Sequence, residues 1–208
     1  LNTLNILVSK LRPFSSDVMG FDDSGNVIMS SAQPEEATNS TIENCKLIYS
    51  AISPHFEAHD ADQEIKKSAI DAMSSLFYYM GDLNMENELL TILKVLENRI
   101  ENEITRVSAL RAITRLSSSP IKIQLSKLNR TCLQNMAEYS RQQSREVRMT
   151  CMQALNAFIT SISFDASTFD NTLADSVLAE ASELINPADL YLTKLSLNLC
   201  TSVISNLP

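Results

Sequence analysis

The sequence predicts an all-α fold, a solenoid of stacked antiparallel helix pairs. Two observations carry that prediction: one amphipathic segment recurs at a near-constant interval, and the composition is poor in the residues of sheets and turns. The recurring segment reads "SAIDAM" at 68–73, "SALRAI" at 108–113, "TCMQAL" at 150–155 and "LSLNLC" at 195–200, in steps of 40, 42 and 45 residues. Helical periods of that length are the signature of HEAT and armadillo arrays. The 208 residues are 44% hydrophobic but only 6% aromatic, with three glycines, six prolines and no tryptophan, which argues against an all-β domain.

The copy at 60–81 shows why the segment is a helix. Asp60 or Asp62 can cap it, and Glu64 places negative charge where the helix dipole favours it. Ile65, Ala69, Met73, Leu76 and Met80 form an apolar stripe, and Gly81 supplies a stop. Each copy follows an acidic and then an aliphatic residue: Glu64-Ile65, Glu103-Ile104, Glu146-Val147 and Asp189-Leu190. The register places Ala69, Ala109, Cys151 and Ser196 at equivalent buried positions.

Second helices are accordingly expected at 62–80, 102–118, 144–162 and 187–206, and their first-helix partners at 41–53, 84–99, 123–140 and 168–185. Pro54 is expected to end the first of these. Ser167 and Asp170 have capping-box spacing, and Asn186-Pro187 puts a cap before a proline at the first helical position. Leu1 to Leu11 reads as the second helix of an earlier pair, giving segments 1–13, 14–40, 41–81, 82–120, 121–163 and 164–208. The uncapped apolar ends read as those of an excised middle segment, since solenoids end in polar caps. Segment 14–40 has no helical period and is read as a tolerated insertion with apolar pinning by residues such as Phe14 and Phe21, rather than a binding loop.

No motif carries catalysis. "DDSGN" (22–26) lacks the bidentate Glu of a calcium loop, Gln33 standing in its place. His55 and His59, the only histidines, have i, i+4 spacing in "HFEAH" but no plausible further ligands, so the pair reads as an inter-helix turn and no metal or cofactor is expected. The motifs of serine hydrolases and phosphate-binding loops are absent. "NST" (39–41) and "NRT" (129–131) match the glycosylation acceptor but have no bearing inside a cell. Cys45, Cys132, Cys151 and Cys200 are widely spaced and in apolar helix phase, as reduced core residues of an intracellular protein. No apolar run reaches the ~18 residues of a membrane span, and no signal peptide opens the chain.

Charge is unevenly placed. The net charge of −8 argues against nucleic-acid binding. Residues 1–93 hold 5 basic and 14 acidic side chains, 94–148 hold 11 and 5, and 149–208 hold 1 and 6. A basic band between acidic ends suits a protein partner of mixed charge. Lys66, Arg106 and Arg148 share one repeat position and are expected to pair with acids of the next repeat. Along the outer stripe of the second helices run Asp71, Ser74, Ser75 and Tyr78; then Arg111, Thr114, Arg115 and Ser118; then Gln153, Asn156, Ala157 and Thr160; then Asn198, Thr201, Ser202 and Ser205. The partner-binding candidates are Arg111 and Arg115 as anchors, with Asp71, Tyr78, Gln153 and Asn156.

The combination "DADQEIKKSAIDAM", "LENRIENEITRVSALRAI" and "SSPIKIQL" resembles the middle HEAT repeats of the Cand family, the cullin-associated regulators of neddylation. "NEITR" (102–106) followed by "SPIKI" (119–123) is its most specific part, and the likeness runs from Thr41 to Pro208. Segment 14–40 departs from the pattern by its length. The resemblance implies a non-enzymatic, cytoplasmic and nuclear protein wrapped around an unneddylated cullin–RING scaffold, hindering neddylation and promoting substrate-receptor exchange. Nucleic acid, membrane and small-molecule substrates are not expected as partners. The competing reading is a HEAT adaptor of another pathway, such as a nuclear transport receptor or a phosphatase scaffold.

Overall fold

A helix with apolar side chains on opposite flanks is stable only when enclosed. The second helices are of this kind: Gln63–Met80 buries Ala69, Ile70, Ala72, Met73, Leu76, Phe77 and Met80, which wrap around much of its circumference. The computed structural model describes residues 2–13, 20–21, 27–28, 36–58 and 62–206 and shows how the enclosure is made. Asn2–Leu11 (α1) opens the chain, and Asn39–Glu57 (α2) precedes Gln63–Met80 (α3). Glu86–Glu101 (α4) and Arg106–Ser117 (α5) form the next pair, then Arg130–Tyr139 (α6) and Arg145–Ile159 (α7), then Asn171–Glu183 (α8) and Leu190–Asn206 (α9).

Helices α1, α3, α5, α7 and α9 stack consecutively into one layer, while α2, α4, α6 and α8 lie outside it, each against the second helix of its own pair. Packing is closer along the second-helix layer, the inner one by analogy with other solenoids, than along the first-helix layer. α1 packs on α3 as α3 does on α5, consistent with a second helix of a preceding pair. The fold is the expected all-α solenoid. Ala69 is 4% exposed, and Ala109, Cys151 and Ser196 are 0% exposed, which supports the repeat register. Within the long segment before α2, Gly20–Phe21 and Val27–Ile28 pair antiparallel, Gly20 opposite Ile28 and Phe21 opposite Val27.

Several boundaries differ from the sequence reading, each for a local reason. α2 runs through Pro54 to Glu57. The proline removes one backbone donor, and the buried Arg99 guanidinium secures the end of the helix, its Nη2 donating to the carbonyls of Phe56 (3.1 Å) and Ala58 (2.7 Å). The helix expected at 123–140 is α6 alone, preceded by a 3₁₀ turn at Leu125–Lys127. Ile121, Ile123 and Leu125 are buried while Lys122 and Gln124 are exposed, the period of two that belongs to extended chain.

The capping box of Ser167 and Asp170 does not form. Asp165 caps the short turn at Ala166–Thr168, and Asp170 itself caps α8, accepting from the Leu173 N–H at 2.9 Å. Pro187 lies in a turn rather than at a first helical position. The Asn186 side chain accepts from Ala188 N–H, and Asp189 caps α9 by accepting from Leu192 N–H at 3.0 Å. α5 starts at Arg106, four residues late, because Asn102 turns the chain by accepting from Ile104 N–H. Gly81 does end α3, but with φ of −66°. Its need is for space: a Cβ there would lie 2.7 Å from the Phe77 carbonyl oxygen and 3.1 Å from Ile123.

Arg99 therefore closes a proline-containing helix of one repeat from the next. Arg99→Ala should lower the unfolding free energy by about 2 kcal/mol, the scale for charge-assisted hydrogen bonds lost inside a protein. Chemical denaturation measures it, and an unchanged midpoint would show that solvent replaces the cap.

Candidate partner-binding face

The inner layer is where a solenoid offers a continuous surface, and all six candidate residues lie on it, partly exposed or, for Arg111, exposed. The structure brings them together in neighbouring pairs. Arg115 on α5 reaches back to α3, its Nη1 donating to Asp71 Oδ1 (2.6 Å), the Asp71 carbonyl (3.0 Å), Ser74 Oγ (3.1 Å) and Ser75 Oγ (2.7 Å). Arg111, one turn earlier, reaches forward to Glu146 on α7 at 2.8 Å. Asn156 Oδ1 accepts from Ser202 Oγ on α9 at 2.7 Å, and Gln153 Nε2 donates to the Tyr191 hydroxyl at 3.3 Å. Ser74 and Ser75, expected on the open stripe, are buried because α5 covers them. The Tyr78 ring meets Tyr79 edge-to-face at 4.9 Å, its carbonyl accepts from Ser119 Oγ, and burial with the neighbouring Tyr79 raises its hydroxyl pKa above the usual value.

The arginines of the basic band follow the same rule. Arg130 donates from Nε and Nη2 to the two oxygens of Asp170, at 3.1 and 2.9 Å, and Arg145 does the same to Asp189, at 2.6 and 3.0 Å. Arg141 forks onto Glu180, a carboxylate only 4% exposed. Each pair joins one repeat to the next. Before the band, Arg12 holds Asp82 and the Tyr79 carbonyl in the same manner. Arg106 and Arg148 do not pair with acids as the register suggested. Arg106 donates to the carbonyls of Ile100 and Glu101, reaches Gln142 Oε1 at 3.1 Å, and lies over the Tyr139 ring at 4.1 Å. Arg148 donates to the carbonyls of Gln142 and Gln143. Each satisfies two backbone carbonyls at once, those ending α4 for Arg106 and those of the α6–α7 turn for Arg148. All eight arginines of residues 94–148 are thus bonded within the array.

Hydrogen bonding from Arg145 and from Leu192 N–H holds the Asp189 carboxyl down at about 2, and Arg130, Thr172 and Leu173 N–H lower that of Asp170 further. A carboxyl lowered by folding contributes stability above its unfolded pKa and loses it as pH falls through the folded one. The Asp189 clasp consequently holds from neutral pH down and gives way as pH approaches 2, and the Asp170 clasp persists to lower pH still.

The cysteines are not activated thiols. Burial pushes the Cys132 and Cys151 thiols up to about 12 and that of Cys45 to about 11, away from the reactive thiolate. Among the described residues, no three metal-ligating side chains converge. His55 lies in the last turn of α2, while His59 falls outside the described residues. A cavity of about 270 Å³ between α2 and α3 is lined mainly by Ala51, Ile52, Ile65 and Ala69. No helix among the described residues is long and apolar enough to cross a membrane.

No protein-family model matches the chain. Curated relatives do. Cullin-associated NEDD8-dissociated protein 1 of Arabidopsis thaliana is 31% identical over 158 residues, 76% of this chain. The protein of the same name from Drosophila melanogaster is 29% identical over 161 residues, 77% of the chain, and Cullin-associated NEDD8-dissociated protein 2 of Rattus norvegicus is 30% identical over 151 residues, 73%. The relatives of this chain are Cand proteins. The match covers 12–13% of the length of these Cand proteins, so the chain corresponds to a small part of them.

Within this Cand-like segment the sequence reading found the residues but not their bonds. It passed over Arg99, Arg130, Arg141 and Arg145, although Asp170, Glu180 and Asp189 follow the last three at 40, 39 and 44 residues. A charge complement one repeat away was the available signal. Arg141→Gln removes the partner of the buried Glu180 and should lower the thermal midpoint by several degrees. Adding Glu180→Gln should recover most of that loss, since it removes the unpaired charge. Equal loss in single and double variants, read by calorimetry, would show that the carboxylate needs no partner.

Proposed function

We propose that this segment is part of the arc of a non-enzymatic scaffold that binds a cullin–RING ligase, hinders cullin neddylation and promotes exchange of substrate receptors, in cytoplasm and nucleus. The observation that supports the reading most is the match, over about three quarters of the chain, to relatives whose names state cullin association. The solenoid is compatible with it, because a curved layer of helices encloses an elongated partner without any reactive group.

The inner layer is the surface assigned to the partner. Arg111 offers an exposed cation there, with 64% of its side chain exposed although it is paired with Glu146. Arg115, Asp71 and Asn156 shape the layer through their bonds between helices, and Tyr78 and Gln153 offer a ring and an amide beside them.

The full-length protein should capture a cullin–RING complex and not a transport GTPase, the partner that a nuclear transport adaptor would retain. Within that complex, Arg111→Glu should slow association at low ionic strength by a small factor, an effect that salt removes because exposed charges are screened over ~8 Å at physiological ionic strength. Retention of the GTPase alone would overturn the functional reading. A normal association rate for Arg111→Glu at low salt would remove the partner role from this arginine.

A further inference from the structure

The exposed turn between α6 and α7 places a serine hydroxyl among three arginines of the stack, and the proposed function does not use that hydroxyl. Ser144 is the N-cap of α7, exposed, with its Oγ accepting from Val147 N–H at 3.4 Å. Arginines stand three residues before it, one after and four after: Arg141, Arg145 and Arg148. The Arg148 guanidinium lies under the turn, its Nη1 bonding the carbonyls of Gln142 and Gln143 (both 2.9 Å), and its Nε is buried with no hydrogen-bond partner. Three arginines in and beside the turn and the positive end of a helix dipole favour an added dianion at the exposed hydroxyl.

We propose that Ser144 is a phosphorylation site for a basophilic serine/threonine kinase, the class that selects arginine three residues before its target, and that the phosphate loosens the junction between α7 and α9. The kinase transfers the γ-phosphoryl group of ATP: the bond from Ser144 Oγ to phosphorus forms, the bond from phosphorus to the ADP oxygen breaks, and the hydroxyl proton passes to the base of the kinase. Which arginine the phosphate recruits follows from burial. Arg141 is held by Glu180, a carboxylate 4% exposed that cannot be left alone in the interior. Arg145 is half-exposed, and its partner Asp189 keeps a second bond from Leu192 N–H. Arg145 therefore turns from Asp189 to the phosphate on the adjacent residue, and the start of α9 loses its ion pair to α7 while keeping the Gln153–Tyr191 hydrogen bond. The remaining acid beside the site, Glu146, is engaged by Arg111.

The test treats the 208-residue chain with ATP and a basophilic kinase, beside a peptide of residues 140–148 and a Ser144→Ala chain. Phosphate should map to Ser144 in the chain and the peptide and be absent from that position in the variant. Amide hydrogen exchange over residues 189–193 should then quicken about two- to fivefold, the factor expected for losing one exposed ion pair. Labelling of the peptide but not of the folded chain would overturn the site, as would failure to label either. Phosphate at Ser144 with unchanged exchange at 189–193 would overturn the loosening of the junction.

Discussion

The structure depends on the enclosure of α3, α5 and α7, each between two other second helices. A helix buried on opposite flanks contributes hydrophobic stabilisation at both junctions, about 1.5–3 kcal/mol for each large side chain removed from water. Leu110 and Ile113 of α5, and Met152, Leu155 and Phe158 of α7, are all buried to within 1%. That term dominates. Its consequence is that most polar side chains on the flanks of the same helices find partners inside the array, the Ser117 and Ser196 hydroxyls being exceptions. A polar group buried without a partner costs more than its bond contributes.

Arginine meets that demand at every junction. Its fork satisfies a carboxylate with two bonds or a pair of helix-end carbonyls at once. The uneven charge of the chain, basic in the middle and acidic at both ends, is thereby the linear trace of contacts that run one repeat backwards, from Arg115 to Asp71, and one repeat forwards, from Arg130, Arg141 and Arg145 to Asp170, Glu180 and Asp189. Electrostatic steering of a partner is correspondingly reduced, since a cation fixed on a neighbouring carboxylate presents a dipole rather than a charge. Most of the exposed pairs are individually weak; they set which surfaces meet, while the apolar core supplies the stability.

The architecture was legible because a repeat shows itself twice, in period and in helical phase. Ala69, Ala109, Cys151 and Ser196 were placed correctly from spacing alone. Boundaries were less legible wherever a distant group decided them. Pro54 stops a helix in isolation, and nothing local announces that Arg99, more than 40 residues on, will cap the turn that follows it. The extended stretch around Ile121 and Ile123 was readable from its period of two, but the expectation of a long first helix overrode it. The polar stripe was legible as residues and not as a surface: the identity of Ser74 and Ser75 says nothing about whether α5 covers them.

A double-mutant cycle across one junction tests the account most directly. Arg115→Ala, Asp71→Ala and the double variant, compared by equilibrium unfolding, isolate the coupling between the two side chains from whatever else each does. The account predicts a coupling of about 0.5–1 kcal/mol, in keeping with a partly exposed pair, with Arg115→Ala costing more than Asp71→Ala because it also releases Ser74 and Ser75. A coupling indistinguishable from zero, with both single variants as stable as the parent, would contradict the claim that the basic band serves the stack.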